Sequence, residues 1–168
     1  SAEKAADFAA RFGFEKAYAS YDALLDDPEV EAVYIPLPNN LHCEWVLRAA
    51  DKGKHILCEK PMGVSAAEEK KMFDYCRARG VRLMEAFAYL HSPVIREIKR
   101  LTDAGGLGEL RVVEASFFTR GHYDHPNNIR ARRETCGGAL YDIGVYNISL
   151  AQYLFGREPD KVQATAHF

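Results

Sequence analysis

The sequence of 168 residues lacks any long apolar run. Its longest apolar stretches, such as residues 32–37, fall far short of the roughly 20 residues that a membrane-spanning helix needs. An excess of charge of one sign is also lacking, because Lys and Arg total 22 and Asp and Glu total 24. No basic stripe typical of nucleic-acid binding is present. We therefore expect neither a membrane nor a nucleic-acid partner.

Cysteine is scarce and scattered, and no pair has the spacing of a metal site or a disulfide framework. We expect four reduced thiols and no bound metal. An initiating methionine is absent as well, since the chain opens at Ser1 within a helical pattern. We therefore expect an upstream segment to be missing, with any signal peptide that it carried. The cytoplasm is the expected location, and the periplasm stays open.

The first half of the sequence alternates helical and strand patterns, which predicts an α/β fold. An amphipathic helix ends at Gly13, and helical patterns cover 41–51 and 65–79, the latter opened by a capping box at Ser65. Apolar runs between them predict fully buried strands. The predicted strands are 32–35, 55–58 and 81–86, preceded by a short stretch at 16–19. Strands alternating with helices pair in parallel through crossovers.

The second half has a different pattern. A helix is predicted over 93–104, and after a glycine turn the alternating residues 109–118 predict a long strand. A polar loop leads to an apolar helix over 139–155 and a final strand over 161–168. These elements predict the start of an α+β domain whose sheet needs further strands.

The strongest local motif is Glu59-Lys60-Pro61, which follows the predicted strand 55–58. Ligands of doubly wound sheets bind outside the carboxyl ends of the strands. A partly desolvated lysine there can hydrogen-bond a substrate hydroxyl that loses its proton as hydride leaves the carbon. Taken alone, such a tripeptide is usually an exposed ion pair on a loop, here between Glu59 and Lys60.

Three segments together resemble the Gfo/Idh/MocA oxidoreductases, whose hallmark is a Glu-Lys-Pro tripeptide. Residues 35–42 resemble the family's Thr-Pro-Asn-x-x-His turn, with Leu37 where Thr is common. Residues 137–146 resemble its Gly-Gly-x-Leu-x-Asp-x-Gly-x-His helix, with Tyr146 in place of His. The version of the motif with tyrosine resembles that of the family branch that contains glucose-fructose oxidoreductase, dimeric dihydrodiol dehydrogenase and related xylose dehydrogenases.

The resemblance implies a Rossmann-like parallel sheet in a partial dinucleotide-binding domain, 1–88, and the beginning of a substrate-binding α+β domain, 89–168. It implies transfer of hydride between a secondary alcohol of a sugar or cyclic diol and a nicotinamide cofactor. NADP is preferred by likeness to the tyrosine branch, and NAD stays open. The intact protein is expected to be a homo-oligomer, a dimer or tetramer.

The resemblance also implies the site residues. Lys60, Asp142 and Tyr146 would be catalytic, and Asp142 and Tyr146 are four apart on one helix face. A nearby ammonium lowers the pKa of a phenol, which suits acid/base work. The cofactor would contact Leu37, Pro38, Asn39, Asn40, His42, Glu59 and Lys60. The alternatives are a Pro/Asn turn with His42 in the first turn of a helix, Asp142 favouring the helix dipole, and Tyr146 as a core aromatic.

Lesser candidates have equally good structural explanations. Glu85, Tyr89 and His91 resemble family positions near the nicotinamide, yet a buried capping carboxylate and a packed aromatic account for them as well. The polar loop candidates are His122, Tyr123, Asp124 and His125, which could line a pocket or bind a metal but are expected to be solvated. The arginine candidates are Arg130, Arg132 and Arg133, for which surface solvation is the default.

The sequence departs from the family in one large respect, because it has no Gly-x-Gly-x-x-Gly turn and no residue to read the ribose. Both are expected before Ser1, together with the first two strands of the fold. In the usual strand order 3-2-1-4-5-6 these two strands would lie between the fold's third strand and 32–35, which would be its fourth. We therefore expect an N- and C-terminally truncated chain that is unstable alone. A noncatalytic sensor of dinucleotide or sugar and an inactive fragment are the alternative functions. A complete set of proton-handling residues argues against the sensor.

Overall fold

The computed structural model describes residues 1–119, 125 and 127–166. The chain divides into two compact units, residues 1–86 and 87–168, which are described separately below. No helix in these described ranges is long and apolar enough to cross a membrane.

The first unit alternates helices with a parallel sheet. Its elements are α1 (Ala2–Phe12), α2 (Tyr21–Asp26), β1 (Ala32–Ile35), α3 (Asn39–Asp51), β2 (His55–Cys58), α4 (Ala66–Ala78) and β3 (Leu83–Glu85). The strands lie in the order β1-β2-β3, and both pairs are parallel. The predicted parallel α/β arrangement is confirmed, and β1 and β2 have the predicted bounds.

Local chemistry explains where the helices begin and end. Gly13 ends α1 in the left-handed conformation at φ 73°, which glycine adopts without steric cost. Ser65 caps α4, since its Oγ accepts the amide of Glu68 at 3.3 Å. The Glu68 carboxylate returns to the amide of Val64 at 3.0 Å, one residue before the position that a capping box predicts.

The core lies on one face of the sheet, against α3 and α4. Ile35, Ile56 and Cys58 are buried on that face, together with Val46 from α3 and Met72 from α4. Strand residues alternate between faces, and the other face remains accessible. The exposed residues of that face are Ala32, Tyr34, His55 and Met84.

The prediction of fully buried strands is therefore wrong for β1 and β2. An unbroken apolar run shows only that neither face is strongly polar, so it does not tell whether both faces are covered. Residues 16–19 form no strand in the described structure. Their side chains instead reach Asp27, whose carboxylate accepts from Lys16 at 2.9 Å and from the Tyr18 hydroxyl at 2.6 Å.

The second unit is built from helices. They are a 3-10 turn (Ala88–His91), α5 (Pro93–Asp103), two more 3-10 turns (Ile129–Ala131 and Arg133–Thr135), a π-helical segment (Leu140–Gly144) and α6 (Val145–Phe155). The predicted helices over 93–104 and 139–155 are confirmed. The π-helical opening of the second one was not predicted.

The strands predicted at 109–118 and 161–168 are not formed in the described residues, 167 and 168 lying outside them. Alternating apolar and polar residues show only that an extended segment would have one apolar and one polar face. A strand also needs a hydrogen-bonded neighbour, and no described residue of the second unit pairs with either segment. The prediction failed because the local pattern carries no information about the partner.

Candidate active site

The carboxyl ends of the three parallel strands meet at one edge of the sheet. Ile35, Cys58 and Glu85 stand in one row of the register, so the segments that follow β1 and β2 leave the sheet side by side. The first segment contains residues 37–40 and the second contains Glu59-Lys60-Pro61, which brings together the two predicted cofactor segments of the first unit.

The Glu59 side chain is fixed at this edge by two hydrogen bonds. Its Oε1 accepts from the Tyr34 hydroxyl at 2.5 Å, and its Oε2 accepts the amide of Lys60 at 3.2 Å. Lys60 is half-buried, and its peptide bond to Pro61 is cis. Glu59 and Lys60 lie on the loop that follows β2, and both side chains are half-buried there.

The His42 side chain connects the segment after β1 with the segment after β2. Its side chain is completely buried, with Nδ1 2.9 Å from the carbonyl oxygen of Pro61 and Nε2 2.8 Å from that of Leu37. Both ring nitrogens thus face main-chain carbonyls. Leu37, Pro38 and Asn39 are half-buried and Asn40 is exposed, so they are more accessible than the histidine.

Carboxylates hold the amides of the loop that follows Lys60. Glu85 Oε1 accepts the amide of Met62 at 2.8 Å, and Glu69 accepts that of Gly63. Burial raises the pKa of Glu85, and the nearby Glu69 carboxylate adds to the shift. Burial is also the main reason why the pKa of the Cys58 thiol rises to about 12, with Glu85 and Glu59 contributing. The raised pKa values mark this edge as a desolvated and acidic environment.

In the second unit, Asp142 lies within the π-helical segment. Its side chain is 16% exposed, and its Oδ1 accepts from Nε of Arg130 at 3.2 Å. The π-helix is a rare conformation that recurs at functional sites. Its presence at the Gly-Gly-x-Leu-x-Asp motif is a signal that helical periodicity alone does not reveal.

Gly137 and Gly138 form the turn that places Arg130 next to Asp142. The amide of Gly137 donates to the carbonyl of Arg132 at 2.9 Å, and that of Gly138 to Arg130 at 2.6 Å. A Cβ at Gly137 would lie only 2.5 Å from the carbonyl oxygen of Arg130, so a side chain is excluded there. The motif's glycines thus allow the close approach of two backbones.

Tyr146 is surrounded by aromatic rings of the second unit. The centroids of Phe87 and Phe117 both lie 5.7 Å from that of Tyr146, and that of Tyr89 lies 6.2 Å away, all at steep interplanar angles. Such edge-to-face contacts hold a ring in one orientation. The interpretation of Tyr146 as a packed aromatic and its proposed catalytic role are compatible, because packing fixes the ring that carries the hydroxyl.

Apart from Glu85 and Arg130, the lesser candidates that the structure describes make ordinary structural contacts or are exposed. The Tyr89 hydroxyl lies 2.7 Å from Ser149 Oγ, and His91 Nδ1 lies 3.2 Å from an Arg96 nitrogen. His125 Nδ1 accepts the amide of Asn127. His122, Tyr123 and Asp124 lie outside the described residues, and Arg132 and Arg133 are exposed. The structure groups no three potential metal ligands anywhere in the residues that it describes.

Two residues have contacts with the candidate site that the sequence patterns did not predict. Arg130 was expected to be solvated, and Glu85 was only a lesser candidate, yet they contact Asp142 and the loop after Lys60. Glu85 ends a strand at the same edge as the Glu-Lys-Pro motif, which was a usable signal. For Arg130 no local signal exists, because its contact depends on the glycine turn.

A parallel sheet with helices between its strands and a polar turn at its carboxyl edge is typical of nucleotide-binding folds of the Rossmann type. Comparison with known families agrees with this class. Residues 1–87 match the oxidoreductase family with an NAD-binding Rossmann fold, GFO_IDH_MocA, and residues 95–168 match the GFO/IDH/MocA C-terminal domain. The chain belongs to the Gfo/Idh/MocA oxidoreductase family.

Individual relatives include D-xylose 1-dehydrogenase (NADP(+)) 2 of Haloferax volcanii, 44% identical over 96% of this chain and 49% of the relative. The trans-1,2-dihydrobenzene-1,2-diol dehydrogenase of Mus musculus is 37% identical over 96% of this chain and 48% of its own length. The chain spans about half the length of the curated relatives that it matches.

A solved structure with the same fold is that of KijD10, a 3-ketoreductase from Actinomadura kijaniata, in complex with NADP and TDP-benzene. It has a TM-score of 0.77 and 37% identity, covering 92% of this chain and 47% of that one. Other solved structures of KijD10 carry a substitution of a tyrosine by phenylalanine or of a lysine by alanine or glutamate.

Proposed function

We propose that the protein is an oxidoreductase that transfers hydride between a secondary alcohol of a sugar or cyclic diol and a nicotinamide cofactor. The observation that carries the proposal is the half-buried Lys60 on a loop whose amides are bonded to carboxylates, at the carboxyl edge of a parallel sheet. Binding at that edge is general for doubly wound sheets. Membership of an oxidoreductase family supports the same reaction class.

The relatives support the substrate class and the cofactor. One is named for xylose and NADP, another for a cyclic diol, and KijD10 was solved with NADP. We therefore propose a sugar or cyclic diol as substrate, with NADP preferred over NAD.

The residues at the sheet edge fit a nicotinamide cofactor. Leu37 and Pro38 offer apolar surface, Asn39 and Asn40 offer amide groups, and Lys60 offers a positive charge. His42 is fully buried against main-chain carbonyls, so its contribution is to hold the Leu37 segment in place. When bound, the cofactor supplies the hydride acceptor for alcohol oxidation.

Three side chains handle the substrate in this proposal. The Lys60 ammonium hydrogen-bonds the reacting oxygen, and Tyr146 in its phenolate form accepts the proton that the hydroxyl releases and becomes a neutral phenol. Asp142 accepts a hydrogen bond from a neighbouring hydroxyl and so orients the substrate. The Arg130 guanidinium donates to the Asp142 carboxylate and so fixes the orientation of the carboxylate for that task.

The test is a spectrophotometric assay of reduced nicotinamide with the full-length protein, using NADP or NAD and a panel of aldoses, inositols and cyclic diols. We expect turnover that Lys60→Ala lowers by at least about 100-fold. Lys70→Ala is the matched control, since Lys70 is 77% exposed in a pair with Asp74 on α4. Tight cofactor binding without turnover on any alcohol would overturn the proposal in favour of a noncatalytic sensor.

We further propose a cytoplasmic homo-oligomer, a dimer or tetramer. All four cysteines are free thiols in the structure, which is typical of a reducing compartment. Light scattering of the purified full-length protein tests the assembly, and a monomer at micromolar concentration would contradict it. Cell fractionation tests the location.

A further inference from the structure

We infer that His42 and Glu85 are positioning residues that together clamp the peptide between Pro61 and Met62 and thereby fix the direction of the Lys60 side chain. The inference rests on the proposed role of Lys60. It assigns a positioning task to the buried His42 of α3 and the half-buried Glu85 of β3, neither of which would touch the substrate.

The two side chains hold opposite ends of one peptide unit. His42 Nδ1 lies 2.9 Å from the carbonyl oxygen of Pro61, and Glu85 Oε1 accepts the amide of Met62 at 2.8 Å. A peptide unit is planar, so bonds to both its oxygen and its N–H group leave it no freedom to rotate. Either bond alone would allow the plane to swing about the other atom.

The clamp is rigid because His42 and Met62 are buried and because both clamping side chains are anchored in secondary structure. His42 is 0% exposed and Met62 is 1% exposed. His42 belongs to α3 and is also tied to the carbonyl of Leu37 through Nε2, while Glu85 is the last residue of β3. The peptide is thus held between a helix and a strand that pack in the same core.

Lys60 lies directly before the clamped unit. Its own amide donates to Glu59 Oε2 at 3.2 Å, so its backbone is held on both sides. Reacting groups lose about 100-fold in rate when they are misplaced by about 1 Å. Release of the Pro61–Met62 peptide would therefore lower the rate of the chemical step and leave the binding of substrate largely unchanged.

The experiment compares Glu85→Leu, which removes the acceptor, with Glu85→Gln, which keeps an oxygen for the Met62 amide. His42→Phe removes the bond at the other end and gives a second test if Glu85→Leu does not fold. Glu68→Leu is the matched control, because Glu68 also accepts a loop amide, that of Val64, but four residues beyond Lys60. The readouts in the full-length protein are kcat, KM and hydrogen exchange of the Met62 amide.

We expect Glu85→Leu and His42→Phe to lower kcat about 10- to 100-fold with KM within about threefold of the wild type. Exchange of the Met62 amide should accelerate in Glu85→Leu. Glu85→Gln should restore both kcat and protection, and Glu68→Leu should leave kcat unchanged. Unchanged kcat and unchanged Met62 exchange in Glu85→Leu would overturn the inference, as would a Gln variant as slow as the Leu variant.

The two proposals fail in different ways. If the wild type turns over no alcohol, the proposed function and the catalytic purpose of the clamp are both wrong. If the wild type is active and Lys60→Ala is not, while Glu85→Leu and His42→Phe keep full kcat, only the clamp is wrong.

Discussion

Arg130 donates to Asp142, with 3.2 Å between Nε and Oδ1, although the arginine side chain is 55% exposed and the carboxylate only 16%. Exposed ion pairs contribute about 0.2–1 kcal/mol to stability, so we predict that Arg130→Met costs less than about 1 kcal/mol. Because Asp142 would lose its fixed orientation, we expect a higher KM for the alcohol. Steady-state kinetics and thermal unfolding of the full-length protein, with the exposed Arg132→Met as control, check this. An unchanged KM would contradict it.

Removing only the Tyr146 hydroxyl should separate catalysis from packing. In Tyr146→Phe the ring keeps its contacts with Phe87, Tyr89 and Phe117, so the melting temperature should fall much less than in Tyr146→Ala. General acid/base groups contribute about 10²- to 10⁴-fold, and we predict a fall in kcat of that order. Tyr146→Ala should in addition destabilise the protein. Full activity of the Phe variant would exclude Tyr146 as the proton acceptor.

Adding a methyl group at Gly137 should be costly. Its Cβ would lie 2.5 Å from the Arg130 carbonyl oxygen and 2.7 Å from that of Ile129. Overpacking typically costs about 1–3 kcal/mol, and we predict a loss in that range for Gly137→Ala. Gly144→Ala is the contrast, since its φ is −61° and its nearest neighbour is a flexible Leu140 methyl at 3.1 Å. Chemical denaturation should rank the two variants in this order, and equal losses would contradict the steric account.

Glu85 should make stability fall as pH rises. Burial holds its pKa above the ordinary value of 4.5, so the native state binds this proton more tightly than the unfolded state. Its contribution is therefore fully present below pH 4.5 and is lost as pH rises through the raised value. We predict that Glu85→Gln gains stability relative to the wild type from pH 4 upward.

Thermal unfolding between about pH 2.5 and 8 measures this difference and includes the range below pH 4.5 in which the control changes. Glu97→Gln gives the opposite sign, because the hydrogen bond from Arg100 lowers the pKa of Glu97 and its contribution is lost as pH falls. If the difference in stability between the wild type and Glu85→Gln stays constant with pH, the pKa of Glu85 is not raised in the native state and the prediction is wrong.

Much of the first unit could be predicted because its determinants are local. Apolar runs between helix stops located β1 and β2, and Ser65 located the start of α4. The chemistry of a lysine after a buried strand likewise pointed to the sheet edge. The clamp around the Pro61–Met62 peptide could not be predicted, because it joins residues up to 23 positions apart through main-chain atoms.

The second unit was less predictable for the same reason. The helix at 139–155 follows from its apolar composition, but the strand at 109–118 needed a partner that no local pattern specifies. The pair between Arg130 and Asp142 depends on a turn closed by two glycines. Such contacts are determined by tertiary packing, so residue type alone predicted solvation for Arg130.

The most direct measurement of the central claim follows deuterium from the substrate to the cofactor in the full-length protein. An alcohol of the accepted class, deuterated at the carbinol carbon, is incubated with NADP, and the nicotinamide product is analysed by mass spectrometry. The account predicts that one deuterium appears in the reduced nicotinamide, and that Lys60→Ala slows the transfer by at least about 100-fold while Lys70→Ala does not. Product formed without deuterium, or transfer that Lys60→Ala leaves intact, would contradict it.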